Sequence, residues 1–236
     1  MADTSLSDAW EAKAGEWAAW AGTPGHDKFF ARLNWPAFER LLPPPCGATL
    51  DVGCGEGRLG RELARLGHRV SGLDASATLA QLAREGGGYE RVVCQSAAHM
   101  PFADGEFGLA VAFMSLITID DVPGAVSETA RVLAPGGCFC IAILHPLNRP
   151  DGAMADYFRE HRVVDPIERD GVRMVFEDAH RPLSDYTDAL AAAGFTIEQL
   201  AEPRLSEEEA AAAAGSPLER AAREPFFLHL RCRLSR

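Results

Sequence analysis

The feature of this chain that most restricts its fold is a glycine-rich turn between two predicted strands. An apolar strand over residues 48–52 leads into the turn, and a helix and a second strand over residues 68–73 follow it. The glycines of the turn are Gly53, Gly55 and Gly57. Glycine permits a sharp bend and lets a ligand approach the backbone closely. Asp74 stands 21 positions after Gly53, which is the length of a β-α-β unit, so its carboxylate is expected beside the turn, where it can accept hydrogen bonds from both hydroxyls of a ribose.

The same residues match two nucleotide-binding patterns. The segment from Gly55 to Gly60 fits the dinucleotide fingerprint G-x-G-x-x-G, which favours NAD. The apolar strand ends at Val52, however, and this places the pattern G-x-G-x-G on the turn itself. In that register Arg58 stands where a dinucleotide site has its third glycine. The register therefore favours a nucleoside cofactor other than NAD.

In this register the chain resembles the class I S-adenosylmethionine-dependent methyltransferases, in particular a small-molecule, methyltransferase type 11-like branch. The segments that carry the resemblance are residues 51–57, 96–107, 134–137, 180–186 and 193–195. They follow one another in the order expected for the family. The resemblance implies a Rossmann-like, doubly wound α/β fold with a seven-stranded, mostly parallel sheet and an antiparallel C-terminal strand. It also implies S-adenosyl-L-methionine as the cofactor.

The hydrophobic pattern agrees with such a fold, because continuous apolar strands alternate with helices between residues 48 and 144. That pattern is typical of a parallel sheet covered on both faces. We expect a single domain over residues 1–236 with four parts. These are an N-terminal helical lid (1–45), the cofactor-binding core (46–144), a substrate-side insertion (145–181), and a C-terminal helix with antiparallel strands (182–236). The tryptophan-rich helix at residues 7–21 covers the cofactor cleft or simply packs on the edge of the domain.

Composition restricts the partners. The net charge of −11 disfavours a nucleic-acid substrate, so a small-molecule acceptor is expected. No apolar run approaches the roughly 20 residues that span a bilayer, and the N-terminus lacks the pattern of a secretion signal. The six cysteines suit a reducing cytoplasm, and Cys138-x-Cys140 lacks zinc-finger spacing, so no metal is expected.

The resemblance assigns the cofactor-binding residues position by position. They are Asp51, Gly53, Gly55, Gly57, Asp74, Ala75, Ser96, Ala97, Ala98, Phe113 and Met114. An acid before a helix can also cap it, so a capping role for Asp74 in the predicted helix 76–84 stays open. The chain departs from the family at two positions: Ser96 replaces an acid that meets the adenine amino group, and Gly108 replaces an aspartate.

Two histidines are candidates for a general base, because imidazole titrates near neutral pH. His145 follows the fifth predicted strand, where ligands bind in such folds, and His180 precedes Arg181. A purely structural role for His145 in its loop is the alternative. The candidate substrate contacts are Trp20, Tyr157, Arg181 and Tyr186.

Three functions are compatible with the sequence. The first is methyl transfer to an oxygen or nitrogen of a small molecule. The second is methylation of nucleic acid or protein, which the acidic charge and the absence of an amino-methylation motif at residues 112–115 disfavour. The third is a non-catalytic cofactor-binding module, which an intact glycine turn followed by Asp74 disfavours.

Overall fold

The computed structural model describes residues 4–148 and 156–235. The strands in these ranges are β1 (Ala48–Val52), β2 (Arg69–Asp74), β3 (Arg91–Cys94), β4 (Phe107–Phe113), β5 (Leu133–Leu144), β6 (His161–Arg169), β7 (Val172–His180), β8 (Phe195–Ala201) and β9 (Phe227–Leu234). The helices in the same ranges are α1 (Leu6–Gly22), α2 (Trp35–Glu39), α3 (Arg58–Arg65), α4 (Ala77–Gly86), α5 (Val122–Val132), α6 (Leu183–Ala192) and α7 (Glu207–Ala212).

Within the described residues, seven strands form one sheet in the order β3-β2-β1-β4-β5-β9-β8. Strands β1 to β5 pair in parallel, and β9 runs antiparallel to both β5 and β8. The predicted fold class is therefore confirmed. The strand order reverses between β1 and β4, which pair side by side. In sheets of this kind the crevice at the carboxyl ends of the two strands at the reversal is where ligands bind.

Apolar side chains on both faces of the sheet explain its stability. Leu50 and Phe139 are fully buried on the face covered by α5 and α6. Leu63 of α3 and Cys140 of β5 are fully buried on the opposite face. Helices cover both faces of the sheet and exclude water from them. The central strands are therefore continuously apolar, as expected of a parallel sheet.

The predicted insertion over residues 145–181 contains a two-stranded hairpin, β6 with β7, apart from the main sheet. The alternation of residues 172–176 in the sequence is typical of a half-exposed strand, and these residues form the first half of β7. The sequence pattern did not indicate β6, since Pro166 and several charged residues interrupt that strand. Residues 149–155 of the predicted insertion lie outside the described ranges. The hairpin packs against α1, where the indole Nε1 of Trp10 donates to the backbone oxygen of Glu177 over 2.8 Å.

Candidate functional site

A cavity of about 770 Å³ lies at the carboxyl ends of β1, β2 and β4. Helix α1 and the β6–β7 hairpin form its roof, and residues before and at the start of β9 complete the far wall. The cavity therefore coincides with the reversal point of the sheet. The cavity wall contains all the predicted cofactor-binding residues except Gly57.

The glycine turn has the geometry expected of a ligand-binding loop. Gly53, Gly55 and Gly57 all have positive φ angles, between 56° and 92°. The amides of Gly53 and Cys54 both donate to the carbonyl oxygen of Leu73, at 2.7 and 2.9 Å, and this joins the turn to β2. A Cβ atom at Gly53 would lie 2.4 Å from the Cβ of Ser115. Only glycine fits there, because both the backbone conformation and the neighbouring chain exclude a side chain.

Asp51 is fully buried behind this turn. Its Oδ2 atom accepts a hydrogen bond from the phenol of Tyr89 at 2.8 Å, and its Oδ1 atom has no hydrogen-bond partner among the described residues. Burial raises the pKa of Asp51 from 3.8 to about 7, and the nearby carboxylates of Asp74 and Glu56 add to the rise. An unsatisfied buried oxygen at a cavity wall indicates that this position suits a hydrogen-bonding ligand.

Asp74 is held by two backbone amides. Its Oδ2 accepts from the amide of Gly55 at 2.8 Å and its Oδ1 from the amide of Ser76 at 2.9 Å. A carboxylate oxygen can accept two hydrogen bonds, so each oxygen of Asp74 keeps one acceptor site for a ribose hydroxyl. Burial raises the pKa of Asp74 to about 6. Helix α4 is capped by the hydroxyl of Ser76, which accepts from the amide of Leu79, and not by Asp74.

The predicted adenine-side residues follow β3 and lie together on the cavity wall. They are Ser96, Ala97 and Ala98, with Ala75 next to Asp74. The Ser96 hydroxyl accepts from the amide of Ala98 at 3.3 Å and is exposed. Gly108 lies at the opposite end of β4, where a Cβ would meet the carbonyl oxygen of Cys46 at 2.2 Å. The replacement of aspartate at position 108 therefore lies away from the cavity.

Phe113 and Met114 end β4 and both line the cavity. The ring of Phe113 packs edge-on against Phe38, with ring centroids 5.0 Å apart. Met114 has a φ of 62°, and its amide donates to the carbonyl oxygen of Ala142 at 2.7 Å. A non-glycine residue in the left-handed region is uncommon and stores strain that is typical of functional sites.

The roof is joined to the cofactor side of the cavity by polar contacts of α1. The indole Nε1 of Trp17 donates to Glu56 at 3.3 Å, and the carboxylate of Glu11 accepts from the hydroxyl of Thr78 at 2.7 Å and from that of Ser76. Trp10 and Trp17 line the cavity. Trp20 does not line it, and its role in substrate binding stays a prediction. Its ring is buried and packs against Phe176 and His26, with ring centroids 6.1 and 4.9 Å apart.

The remaining wall is aromatic and lies beyond the predicted cofactor residues. Phe29 stacks on Phe226 with ring centroids 4.2 Å apart, and Phe227 meets Phe29 edge-on at 6.1 Å. Other residues of this wall are Phe30, Asn34, Leu144, Asn148, Val163, Asp165, Ile167, Phe176, Asp178 and Arg220. No pattern in the sequence predicted that these residues would line a ligand site. In the sequence, only the adjacent phenylalanine pairs Phe29-Phe30 and Phe226-Phe227 hinted at an aromatic surface. The two pairs are far apart along the chain, so their positions did not indicate that they pack together.

Both predicted catalytic histidines lie outside the cavity wall. The Nδ1 atom of His145 accepts from the amide of Leu147 at 3.1 Å, and its Nε2 atom contacts Glu202 at 3.1 Å. Both ring nitrogens are therefore engaged, and burial lowers the pKa of His145. The Nε2 atom of His180 contacts the carbonyl oxygen of Tyr157 at 2.8 Å, and the ring is fully buried. These contacts are structural, and a general-base role for either histidine stays a prediction.

The other predicted substrate contacts also lie outside the cavity wall. Arg181 is buried and donates to the carbonyl oxygens of Ile119 at 2.9 Å and Asp120 at 3.3 Å. The phenol of Tyr157 accepts from the amide of Leu183 at 3.0 Å, and Tyr186 is buried in the core. Together with His180 these residues hold the hairpin against the sheet. The predicted contact of Tyr157, Arg181 and Tyr186 with substrate stays a prediction.

The described residues contain neither a cluster of metal ligands nor a membrane-spanning helix. No three His, Cys, Asp or Glu side chains in these residues are close enough together to hold a metal ion. None of the helices in the described part of the chain is both long and apolar enough to cross a membrane.

Residues 50–141 match a family described as a methyltransferase domain. The chain is 30% identical over 144 residues to a malonyl-[acyl-carrier protein] O-methyltransferase of Pectobacterium atrosepticum, an alignment that covers 59% of this chain and 55% of the relative. It is also 30% identical to an O-methyltransferase of Penicillium expansum, over 66% of this chain and 60% of the relative. The chain thus spans about half the length of the curated relatives it matches.

Solved structures extend the similarity to the whole fold. An S-adenosylmethionine-dependent methyltransferase of Mesorhizobium loti is 26% identical and superimposes with a TM-score of 0.63, covering 85% of this chain and 97% of the other. A geranyl diphosphate C-methyltransferase of Streptomyces coelicolor, solved with S-adenosyl-L-homocysteine, shares the fold with a TM-score of 0.66 at 16% identity, covering 98% of this chain and 99% of the other. The glycine turn, Asp74 and these similarities agree. The chain belongs to the class I S-adenosylmethionine-dependent methyltransferase family, with S-adenosylmethionine as its cofactor.

Proposed function

We propose that this protein transfers a methyl group from S-adenosylmethionine to an oxygen or nitrogen of a small-molecule acceptor. One observation carries the proposal: the cavity continues from the glycine turn and Asp74 to a second, aromatic wall under the same roof. Its volume of about 770 Å³ lies within the roughly 300–1,000 Å³ typical of clefts for small ligands. One cavity therefore has room for a cofactor at one end and an acceptor at the other.

In this proposal the residues of the cofactor end act by binding. Asp74 holds the ribose through its two remaining acceptor sites, and the backbone around Gly53 and Gly55 lines the amino-acid end of the cofactor. Asp51 supports the turn through Tyr89 and offers its unpartnered Oδ1 to the ligand. When bound, S-adenosylmethionine supplies the methyl group as an electrophile, so the protein mainly has to position the acceptor and exclude water.

The roof supports a small acceptor over a macromolecular one. Trp10 and Trp17 of α1 and Phe176 of the hairpin close the cavity from above. The net charge of −11 also disfavours binding to a phosphate backbone.

The six cysteines are free thiols, which supports a cytoplasmic location because cytoplasmic proteins keep their thiols reduced.

Calorimetry with S-adenosylmethionine, S-adenosylhomocysteine and NAD tests the cofactor assignment directly. We expect the two adenosyl compounds to bind and NAD to bind negligibly. In Asp74→Asn the ribose hydroxyls lose an ionised partner, and such hydrogen bonds contribute roughly 1.5–3 kcal/mol each. The variant should therefore bind S-adenosylhomocysteine at least about tenfold more weakly with an unchanged circular dichroism spectrum. Unchanged affinity would remove Asp74 from the site.

An acceptor screen tests the reaction itself. Turnover is followed as formation of S-adenosylhomocysteine from S-adenosylmethionine, with a small-molecule panel, tRNA and a protein extract as separate groups of acceptors. We expect stimulation by members of the small-molecule panel. Stimulation only by tRNA or by protein would favour a macromolecular acceptor. Tight cofactor binding without any stimulated turnover would favour a non-catalytic module.

A further inference from the structure

The β6–β7 hairpin contributes two carboxylates to the cavity wall, Asp165 on β6 and Asp178 on β7. Asp178 is buried and engaged by a partner, whereas Asp165 is half-buried. Val163, Asp165 and Ile167 alternate along β6 and all line the cavity, whereas Val164 and Glu168 point outward and are exposed. Strand geometry explains this, because every second side chain lies on the same face. Asp165 is therefore placed on the inner face by the register of the hairpin.

Cross-strand contacts locate Asp165 relative to the cofactor end. Asp165 pairs with Phe176 of β7, whose ring meets that of Trp17 edge-on at 6.0 Å. Trp17 in turn donates to Glu56 of the glycine turn. Phe176 and Trp17 thus form a chain of neighbouring rings between Asp165 and the glycine turn. This position suits a residue that contacts the acceptor rather than the cofactor.

The charges around the cavity distinguish Asp165 from the other ionic groups. The two arginines of the described cavity wall each have a carboxylate partner, Arg58 with Asp27 at 2.8 Å and Arg220 with Glu224 at 2.8 Å. In the described part of the chain, Asp165 has neither a hydrogen-bond partner nor an ion-pair partner, although it is half-buried, and burial raises its pKa. The acceptor end therefore has an uncompensated carboxylate.

The aromatic wall favours a positively charged ligand, as the carboxylate of Asp165 does. Ring faces attract cations, and a carboxylate at partial depth attracts them more strongly than one in water. Phe29, Phe226 and Phe176 offer ring surfaces. Within the described residues, both arginines of the cavity wall are already paired with carboxylates. An anionic acceptor would have to approach Asp165 without a free cation to receive it.

We propose that Asp165 is the acceptor-binding residue of this site and that it selects acceptors with an apolar, ring-bearing body and an amine. The proposal rests on the proposed function, since it concerns the acceptor end of that cavity. It narrows the class of acceptors from any compound with a reactive oxygen or nitrogen to amines. Acceptors that carry a carboxylate are excluded. The amine nitrogen donates hydrogen bonds to the Asp165 carboxylate while the ring packs on the aromatic wall.

Binding of a matched ligand series tests this without requiring the natural acceptor. Phenethylamine, phenethyl alcohol and phenylacetate differ in the polar group and share a ring. Each is titrated calorimetrically into protein saturated with S-adenosylhomocysteine. We expect phenethylamine to bind at least about tenfold more tightly than phenylacetate, because charged hydrogen bonds dominate the difference. Asp165→Asn should remove this preference, whereas Asp165→Glu should keep it.

Glu168→Gln is the matched control, because Glu168 lies on the same strand, carries the same charge and points outward. It should bind all three compounds as the unmodified chain does. Equal or tighter binding of phenylacetate, no binding of phenethylamine, or an unchanged preference in Asp165→Asn would each overturn the proposal. The binding of S-adenosylhomocysteine is measured first in every variant. If the unmodified chain does not bind S-adenosylhomocysteine, the result contradicts the proposed function and not the role of Asp165.

Discussion

Tyr89 donates its phenolic hydrogen to the buried carboxyl of Asp51 over 2.8 Å, and its oxygen accepts from the amide of Gly60 at 3.1 Å. One side chain thus connects the first strand of the sheet with the helix after the glycine turn. Tyr89→Phe leaves both groups without that partner. We expect the free energy of unfolding to fall by about 1–3 kcal/mol, measured by urea denaturation. An unchanged urea midpoint of unfolding would show that water replaces the phenol with no loss of stability.

The raised pKa of Asp51 predicts a pH dependence of stability. The folded chain keeps a proton on Asp51 up to about pH 7, whereas the unfolded chain releases it near pH 3.8. The folded state therefore binds more protons in this window, and the free energy of unfolding decreases as the pH rises from 3.8 to about 7. Asp51→Asn should lack this contribution. Identical pH profiles of stability in the two proteins would contradict it.

Two glycines on different helices provide a matched pair of substitutions. A Cβ at Gly60 would lie 2.0 Å from the ring of Tyr89, while a Cβ at Gly15 of α1 would meet nothing within 4 Å. Gly60→Ala should destabilise the chain by about 1–3 kcal/mol through overpacking. Gly15→Ala should stabilise it by roughly 0.5–1 kcal/mol, because alanine is the better helix former. Urea denaturation measures both, and opposite signs are the expected result.

Glu11 connects the roof helix to the start of α4, and its pKa is lowered mainly by the hydrogen bond from Ser76. We expect Glu11→Ala to loosen α1 and to speed dissociation of S-adenosylhomocysteine by roughly five- to tenfold, since each lost hydrogen bond contributes about 1 kcal/mol. Stopped-flow tryptophan fluorescence follows the dissociation. Glu16→Ala, on an exposed position of the same helix, is the control and should dissociate at the original rate. Equal rates in both variants would mean that α1 does not gate the cavity.

His145 should affect stability and not the reaction. Its side chain accepts from Leu147 and contacts Glu202, so His145→Ala should lower the free energy of unfolding by about 1–3 kcal/mol. Because burial lowers its pKa below 6.5, its contribution to stability decreases as the pH falls below that value. Turnover and cofactor affinity should stay unchanged. A large loss of turnover with normal thermal stability would instead support its role as a general base.

Local sequence patterns predicted the fold class and most of the cofactor end of the cavity. Continuous apolar strands, the glycine turn and the spacing to Asp74 are local patterns, and each depends on residues within one β-α-β unit. Such patterns predict the structure well because neighbours along the chain fix the geometry. The positive φ angles of the turn glycines and the position of Asp74 beside Gly55 follow from them.

The acceptor end of the cavity depends on contacts between residues that are far apart in the sequence. Phe29 and Phe226 are distant in the sequence, yet their rings stack at 4.2 Å, and Asp165 faces the cavity only through its pairing with β7. His145 and Arg181 have the residue types of catalytic or binding groups, but the partners that engage them come from other segments. Long-range packing chooses these partners, and no local spacing encodes which side of a strand or loop finally faces the ligand.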